Sequence, residues 1–277
     1  MLDFVNLDQT LPKQEYRRRM PALQLRLLQL QRVLRDARVG TLVVFEGWNT
    51  SGKGAVIRKL TEPLEPRGFE LVWVREPRSH HQPLPWLWRF WRTLPPYGAM
   101  AIYDHSWYWR TLVELQDSGE GLTRREPWLE RLRDITRFEQ LLTDSRYEII
   151  KFFLHIGEDE QRRRLEALAR DDDAEPRAGS SGRHDRYGRD YLLVEEILER
   201  TESAAAPWSI VPATDLRFAR HEVCRLVARR FEEALERRGF EVPEPLGDDV
   251  SLDSCDDGRN GEGGSGEGPD PAAAEEG

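Results

Sequence analysis

Lys53 closes a glycine-rich stretch, Gly47-Trp48-Asn49-Thr50-Ser51-Gly52-Lys53-Gly54, with the spacing G-x4-G-K. Four apolar residues ending at Phe45 precede it and read as a buried strand, and AVIRKLTEPL follows it and reads as a helix. A turn of this kind aims several backbone N–H groups and a helix N-terminus at one point, and a lysine there adds a compact positive charge. The chemistry such a turn allows is phosphate binding, with Gly47, Asn49, Thr50, Ser51, Gly52, Lys53 and Gly54 as the cradle. The bland alternative is an ordinary strand-to-helix turn with a surface lysine, which the flanking strand and helix disfavour. Gly54 follows the lysine where a Ser or Thr hydroxyl commonly meets Mg2+, so a metal here has to be held by another group.

Transfer of a phosphoryl group needs positioning and charge neutralisation, which means a lysine, a metal-holding acid and arginines. Asp104 ends the apolar run GAMAIYD. An acid at the end of a strand beside a phosphate loop suits a Walker-B-type metal carboxylate, and it also suits the cap of a following helix. Arg110 lies one and a half helical turns past Asp104 and can reach the same phosphates. Arg75, Arg78, His80, His81, Arg89 and Arg92 join it as a possible basic channel, although each alone reads as a solvated charge. The run Arg162-Arg163-Arg164 reads either as a clamp for a polyanion or as a charged helix face.

The elements that must position these groups are an alternation of strands and helices. Leu23, Leu27, Leu30 and Leu34 share one helical face, predicting a helix over about 12–38 packed on the sheet. Strands are expected at 41–45, 69–74, 98–104, 148–156 and 208–211. Helices are expected at 105–116, 124–142, after 157, at 187–201 and at 215–238, with a further one in WLWRFWRTL. Alternating strands and helices imply an α/β fold with a mainly parallel sheet covered on both faces. Residues 171–186 are nearly devoid of apolar side chains and sit where a lid would. The domain expectation is an N-terminal helical segment at 1–39, one α/β domain at 40–240 with a lid region near 157–200, and an acidic disordered tail at 241–277.

The chain has 277 residues and a net charge of -9. Residues 244–277 hold 11 acidic residues and 1 basic one, so residues 1–243 carry +1 and the folded part is close to neutral. The two cysteines, Cys224 and Cys255, offer no disulfide framework and fit a reducing cytoplasm. No signal-peptide pattern or bilayer-length apolar run is found, and neither a membrane nor a nucleic-acid partner is expected.

The segments EGWNTSGKGAVIRKL, LWRFWRTLPPYGAMAIYDHSWYWRTLVE, RFEQLLTDSRYEIIKFFLHIGEDEQRRRL and APWSIVPATDLRFAR together resemble the type 2 polyphosphate kinase family. The likeness is greatest to one half of its two-domain polyphosphate:AMP phosphotransferases, and it runs from about Pro12 to Gly239. It implies a P-loop kinase-like three-layer α/β/α fold with a helical lid. It also implies Mg2+-dependent transfer between inorganic polyphosphate and a nucleotide (AMP, ADP, GMP or GDP), and commonly a homo-oligomer. By the same resemblance Lys53, Asp104 and Arg110 are the catalytic positions, Asp104 the metal ligand. The chain departs from the family pattern at Asn49, where an aspartate is usual, at His105, where an arginine is usual, at Leu216, where a lysine is common, and in the acidic loop at 171–186. Two further readings stay open: a relative that binds polyphosphate or nucleotide without efficient turnover, and an ATP-dependent kinase.

Overall fold

A computed structural model of the chain describes residues 1–74, 84–117, 125–170 and 187–246. Five strands, β1 (Gly40–Gly47), β2 (Phe69–Trp73), β3 (Met100–Asp104), β4 (Tyr147–His155) and β5 (Trp208–Pro212), form one sheet in the order β2-β3-β1-β4-β5. Every pairing is parallel. The central strands β1, β3 and β4 are buried almost throughout, which is why they read as unbroken apolar runs.

The helices are α1 (Lys13–Asp36), α2 (Lys53–Thr61), α3 (Trp88–Trp91), α4 (Trp107–Asp117), α5 (Arg125–Asp144), α6 (Glu158–Ala169), α7 (Tyr187–Thr201) and α8 (Leu216–Glu236). On one face α8 covers β4 and β5 and packs against α1 and α2; on the other α5 lies on β4 and meets α4 and α7. Three layers result. The predicted leucine face of α1 is buried at Leu23, Leu27, Leu30 and Leu34, but its main partner is α8 rather than the sheet, because α8 already occupies that surface. The helix expected in WLWRFWRTL shrinks to the single turn of α3. The chain crosses from one side of β1 to the other between β3 and β4, so the C-terminal end of β1 lies at the switch point where open α/β sheets bind ligands.

Candidate functional site

The glycine-rich stretch leaves that end of β1 and turns into α2 at Lys53. Three of its residues have positive φ: Gly47 at 146°, Thr50 at 63° and Gly52 at 95°. Gly47 and Gly52 are required for a second reason, close approach. A Cβ on Gly47 would lie 2.6 Å from the Leu154 carbonyl oxygen, and one on Gly52 would lie 2.4 Å from Leu216 Cδ2. Thr50 is β-branched, and the left-handed conformation costs such a residue roughly 1–2 kcal/mol. Its N–H donates to Asn49 Oδ1 at 3.1 Å, and the Ser51 N–H donates to the Trp48 carbonyl at 3.1 Å.

Gly52 caps α2 without a side chain, and no acid stands in the first turn of that helix. The first N–H groups of a helix have no intrahelical acceptor, so this end offers unsatisfied donors beside Lys53. Lys53 Nζ donates to the Gly47 carbonyl at 3.2 Å, folding the ammonium back over the loop. Thr50 Oγ1 and Ser51 Oγ are buried with no hydrogen-bond partner among the described residues, a cost that an anion in the cradle would relieve. Gly54 is exposed, and a Cβ there would meet nothing within 4 Å.

Trp48 anchors the loop to the core. Its Nε1 donates to His155 Nδ1 at 2.8 Å, and its ring lies 4.6 Å from Tyr187 and 6.2 Å from Tyr191, both on α7. Burial holds His155 down to about 4, so the ring is neutral and can accept.

Register puts Asp104 directly beside Phe45 on β1, one strand over from the base of the loop. Its side chain is half-buried and takes no hydrogen bond or ion pair among the described residues. The capping role left open for it belongs to others. Ser106 Oγ accepts from the Tyr108 N–H at 3.2 Å, and Glu46 Oε1 accepts from the N–H groups of Ser106 at 2.8 Å and Trp109 at 3.2 Å. Glu46 also takes the Ser106 hydroxyl at 2.7 Å and faces His105 Nδ1 at 3.2 Å. Burial raises the Glu46 carboxyl, but the His105 and Ser106 bonds and the positive charge of Lys53 outweigh it, so its pKa falls below the ordinary value. His105 itself has φ 64° and lies tilted against Trp109 with ring centroids 5.0 Å apart.

The basic residues separate into groups. Burial, and then the charge of Arg110, lower the pKa of both Arg89 and Arg131, so each of these two guanidinium groups feels the Arg110 charge. Arg92 lies over the Trp88 ring at 5.0 Å. Arg162 and Arg163 pair with Glu158, Asp159 and Glu160 on their own helix, as a charged face would. Arg164 is not a free clamp for a polyanion: it donates to the carbonyls of Thr50, Ala213 and Thr214, each at 2.9 Å. Arg75, Arg78, His80, His81 and the loop at 171–186 lie outside the described residues.

Sequence reasoning missed Glu46, Arg131 and the loop-binding role of Arg164. An acid between Phe45 and Gly47 reads as a solvated strand end, and nothing in its neighbours announces that it faces a helix sixty residues on.

The polyphosphate kinase 2 family profile matches residues 10–239. The chain belongs to the polyphosphate kinase 2 family. A polyphosphate:AMP phosphotransferase of Pseudomonas aeruginosa is 33% identical over 239 residues, covering 86% of this chain and 48% of that protein. An ADP-polyphosphate phosphotransferase of Rhodopseudomonas palustris is 32% identical over 75% of this chain and 76% of its own length. Among solved structures, a polyphosphate kinase 2 from Pseudomonas aeruginosa PA01 superimposes with a TM-score of 0.79 at 32% identity, over 85% of this chain and 50% of that one. One from Arthrobacter aurescens TC1 has a TM-score of 0.75 over 90% of this chain and 89% of its own, at 24% identity, a likeness of fold alone. The chain spans about half the length of the polyphosphate:AMP phosphotransferases it matches. Family membership makes the fold a P-loop kinase-like α/β fold, and no described helix is long and apolar enough to cross a membrane.

Proposed function

We propose that this chain transfers a phosphoryl group between inorganic polyphosphate and a nucleoside mono- or diphosphate. The observation that carries the reading is the uncapped N-terminus of α2, with Lys53 beside it and two buried hydroxyls awaiting a partner. In the forward direction the terminal phosphorus leaves its bridging oxygen, whose electron pair stays with the shortened polyphosphate, and bonds to a phosphate oxygen of the acceptor nucleotide. The amides of Gly52, Lys53 and Gly54 and the Lys53 ammonium hold the transferring phosphates, and Arg110 neutralises charge that spreads over their oxygens in the transition state.

Mg2+ fits the residues present. It keeps several waters and is held by one or two carboxylates together with substrate phosphates, and Asp104, at the carboxyl end of β3, is a carboxylate with no partner among the described residues. When bound, it would neutralise charge on the phosphates. The substrates in the relatives' names, AMP, ADP and GDP among them, support the acceptor class. The reading includes a cytoplasmic homo-oligomer, which the buried free thiol of Cys224 and the family likeness support.

A second reading, binding with little turnover, is favoured by one feature: Asn49 offers an amide oxygen, already accepting from Thr50, where a carboxylate would add a unit of negative charge. One assay separates the two. Purified protein with polyphosphate, Mg2+ and AMP, ADP, GMP or GDP is expected to form the next higher phosphate, and Asn49→Asp is expected to raise kcat about tenfold. Polyphosphate binding without product in either protein leaves only the second reading, and product formed from ATP in place of polyphosphate would reassign the donor.

A further inference from the structure

The strained residue of the loop is held from outside it. Helix α6 turns Gln161 and Arg164, one turn apart, toward two successive loop carbonyls: Gln161 Nε2 reaches the Asn49 oxygen at 3.4 Å and Arg164 Nη1 the Thr50 oxygen at 2.9 Å. The other arm of the same guanidinium donates to the carbonyls of Ala213 and Thr214 in the β5–α8 connection, and its Nε donates to Glu160. With its side chain 15% exposed, Arg164 fastens three segments at one point: the loop, its own helix and the turn into α8.

A threonine at φ 63° stays left-handed only where its surroundings impose it. Because the peptide is planar and trans, fixing the direction of the Thr50 carbonyl also fixes the Ser51 N–H on its opposite side, and with it the path into Gly52 and the amides beyond. Without the bond to Arg164, Thr50 is free to relax toward negative φ and the loop unwinds from its cradle shape. The spacing of the arginine run suggests a polyanion clamp, yet the four bonds of Arg164 all run to the protein's own oxygens.

We propose that Arg164 is a positioning residue for phosphoryl transfer: it imposes the left-handed conformation of Thr50 and thereby holds the phosphate loop in its binding shape. This rests on the reading of that loop as the phosphate site. The test is a double-mutant cycle on kcat/KM for polyphosphate, or on polyphosphate affinity if turnover is slow, with Thr50→Gly as the partner substitution because glycine adopts the same φ without strain. Arg164→Ala is expected to lose about 30-fold in the parent protein and no more than about threefold in the Thr50→Gly background. Equal losses in both backgrounds would overturn the proposal. If the alanine variant does not fold, Arg164→Lys, which keeps the charge and loses the fork, carries the same comparison with a loss of about fivefold in the parent.

A second measurement needs no ligand. Hydrogen exchange of the Ser51 and Ala55 amides, bonded to the Trp48 and Gly52 carbonyls, should quicken about tenfold in Arg164→Ala or Arg164→Lys, and unchanged exchange would also overturn the proposal. If Lys53→Ala leaves polyphosphate affinity untouched, the phosphate reading has failed, and the exchange result alone then decides whether Arg164 shapes the loop.

Discussion

Four helices begin at the carboxyl edge of the described sheet strands, and they differ in one respect. Asp215 caps α8 by accepting from the N–H groups of Arg217 and Phe218, at 2.7 and 3.2 Å. Glu158, Asp159 and Glu160 fill the first turn of α6. The N-terminus of α4 is closed by Glu46, a carboxylate from the neighbouring strand. Only α2, of these four, starts with neither a capping side chain nor an acid, and it starts with a lysine instead. A helix end attracts negative charge wherever it lies. The protein's own carboxylates therefore decide which end remains available to an outside anion, and they leave the one that follows the glycine-rich loop.

The largest test of that contrast is Lys53→Ala. Removing the charge beside the open end should lower polyphosphate-dependent transfer by about 100-fold or more while the melting temperature hardly moves. A loss below about threefold in initial rate would detach the chemistry from α2.

Opening the closed end should be costly in stability instead. In Glu46→Ala the buried N–H of Ser106, the half-buried N–H of Trp109 and the Ser106 hydroxyl lose their acceptor, so urea denaturation should report a loss of about 2–3 kcal/mol. Inorganic phosphate should then stabilise the variant more than the parent, because α4 has become a second open end.

Acid should dismantle the two ends in sequence. His155, held down to about 4 by burial, binds a proton less readily in the folded protein than in the unfolded chain. The unfolded state therefore takes up more protons between pH 6.5 and 4, and stability drops as pH falls through that window, by on the order of 2 kcal/mol. His155→Gln should flatten this part of the profile. Glu46 has the lowered pKa of a paired carboxylate, so its contribution is present above pH 4.5 and disappears only as pH falls through its own depressed value. Chemical denaturation at a series of pH values should show Trp48 losing its anchor before α4 loses its cap.

The smallest effect is expected at Gly54. Since a Cβ there meets nothing within 4 Å, Gly54→Ser should change stability by no more than about 0.5 kcal/mol. The added hydroxyl should lower the Mg2+ concentration giving half-maximal rate by about threefold, read from a metal titration.

Most of the architecture was legible in the order of residues. The loop is a local object: its glycines, its lysine and its flanking strand and helix are contiguous, and short-range sterics dictate its shape. The strands could be read because burial on both faces demands apolar runs, and the leucine face of α1 because helical periodicity leaves a mark every three or four positions. The partner of α1 could not be read, since a leucine face buries equally well on a sheet or on another helix.

The local part of the candidate site, from Gly47 to Gly54, was thus determined by the sequence itself. What closes the competing helix end, what holds Thr50 in a conformation it would not choose, and which arginines feel the Arg110 charge were decided only when the chain folded. Glu46 meets Ser106 across 60 residues and Arg164 meets Thr50 across 114. Contacts at such separations follow from strand order and register, which place β1 between β3 and β4, and they leave no periodic trace in the chain.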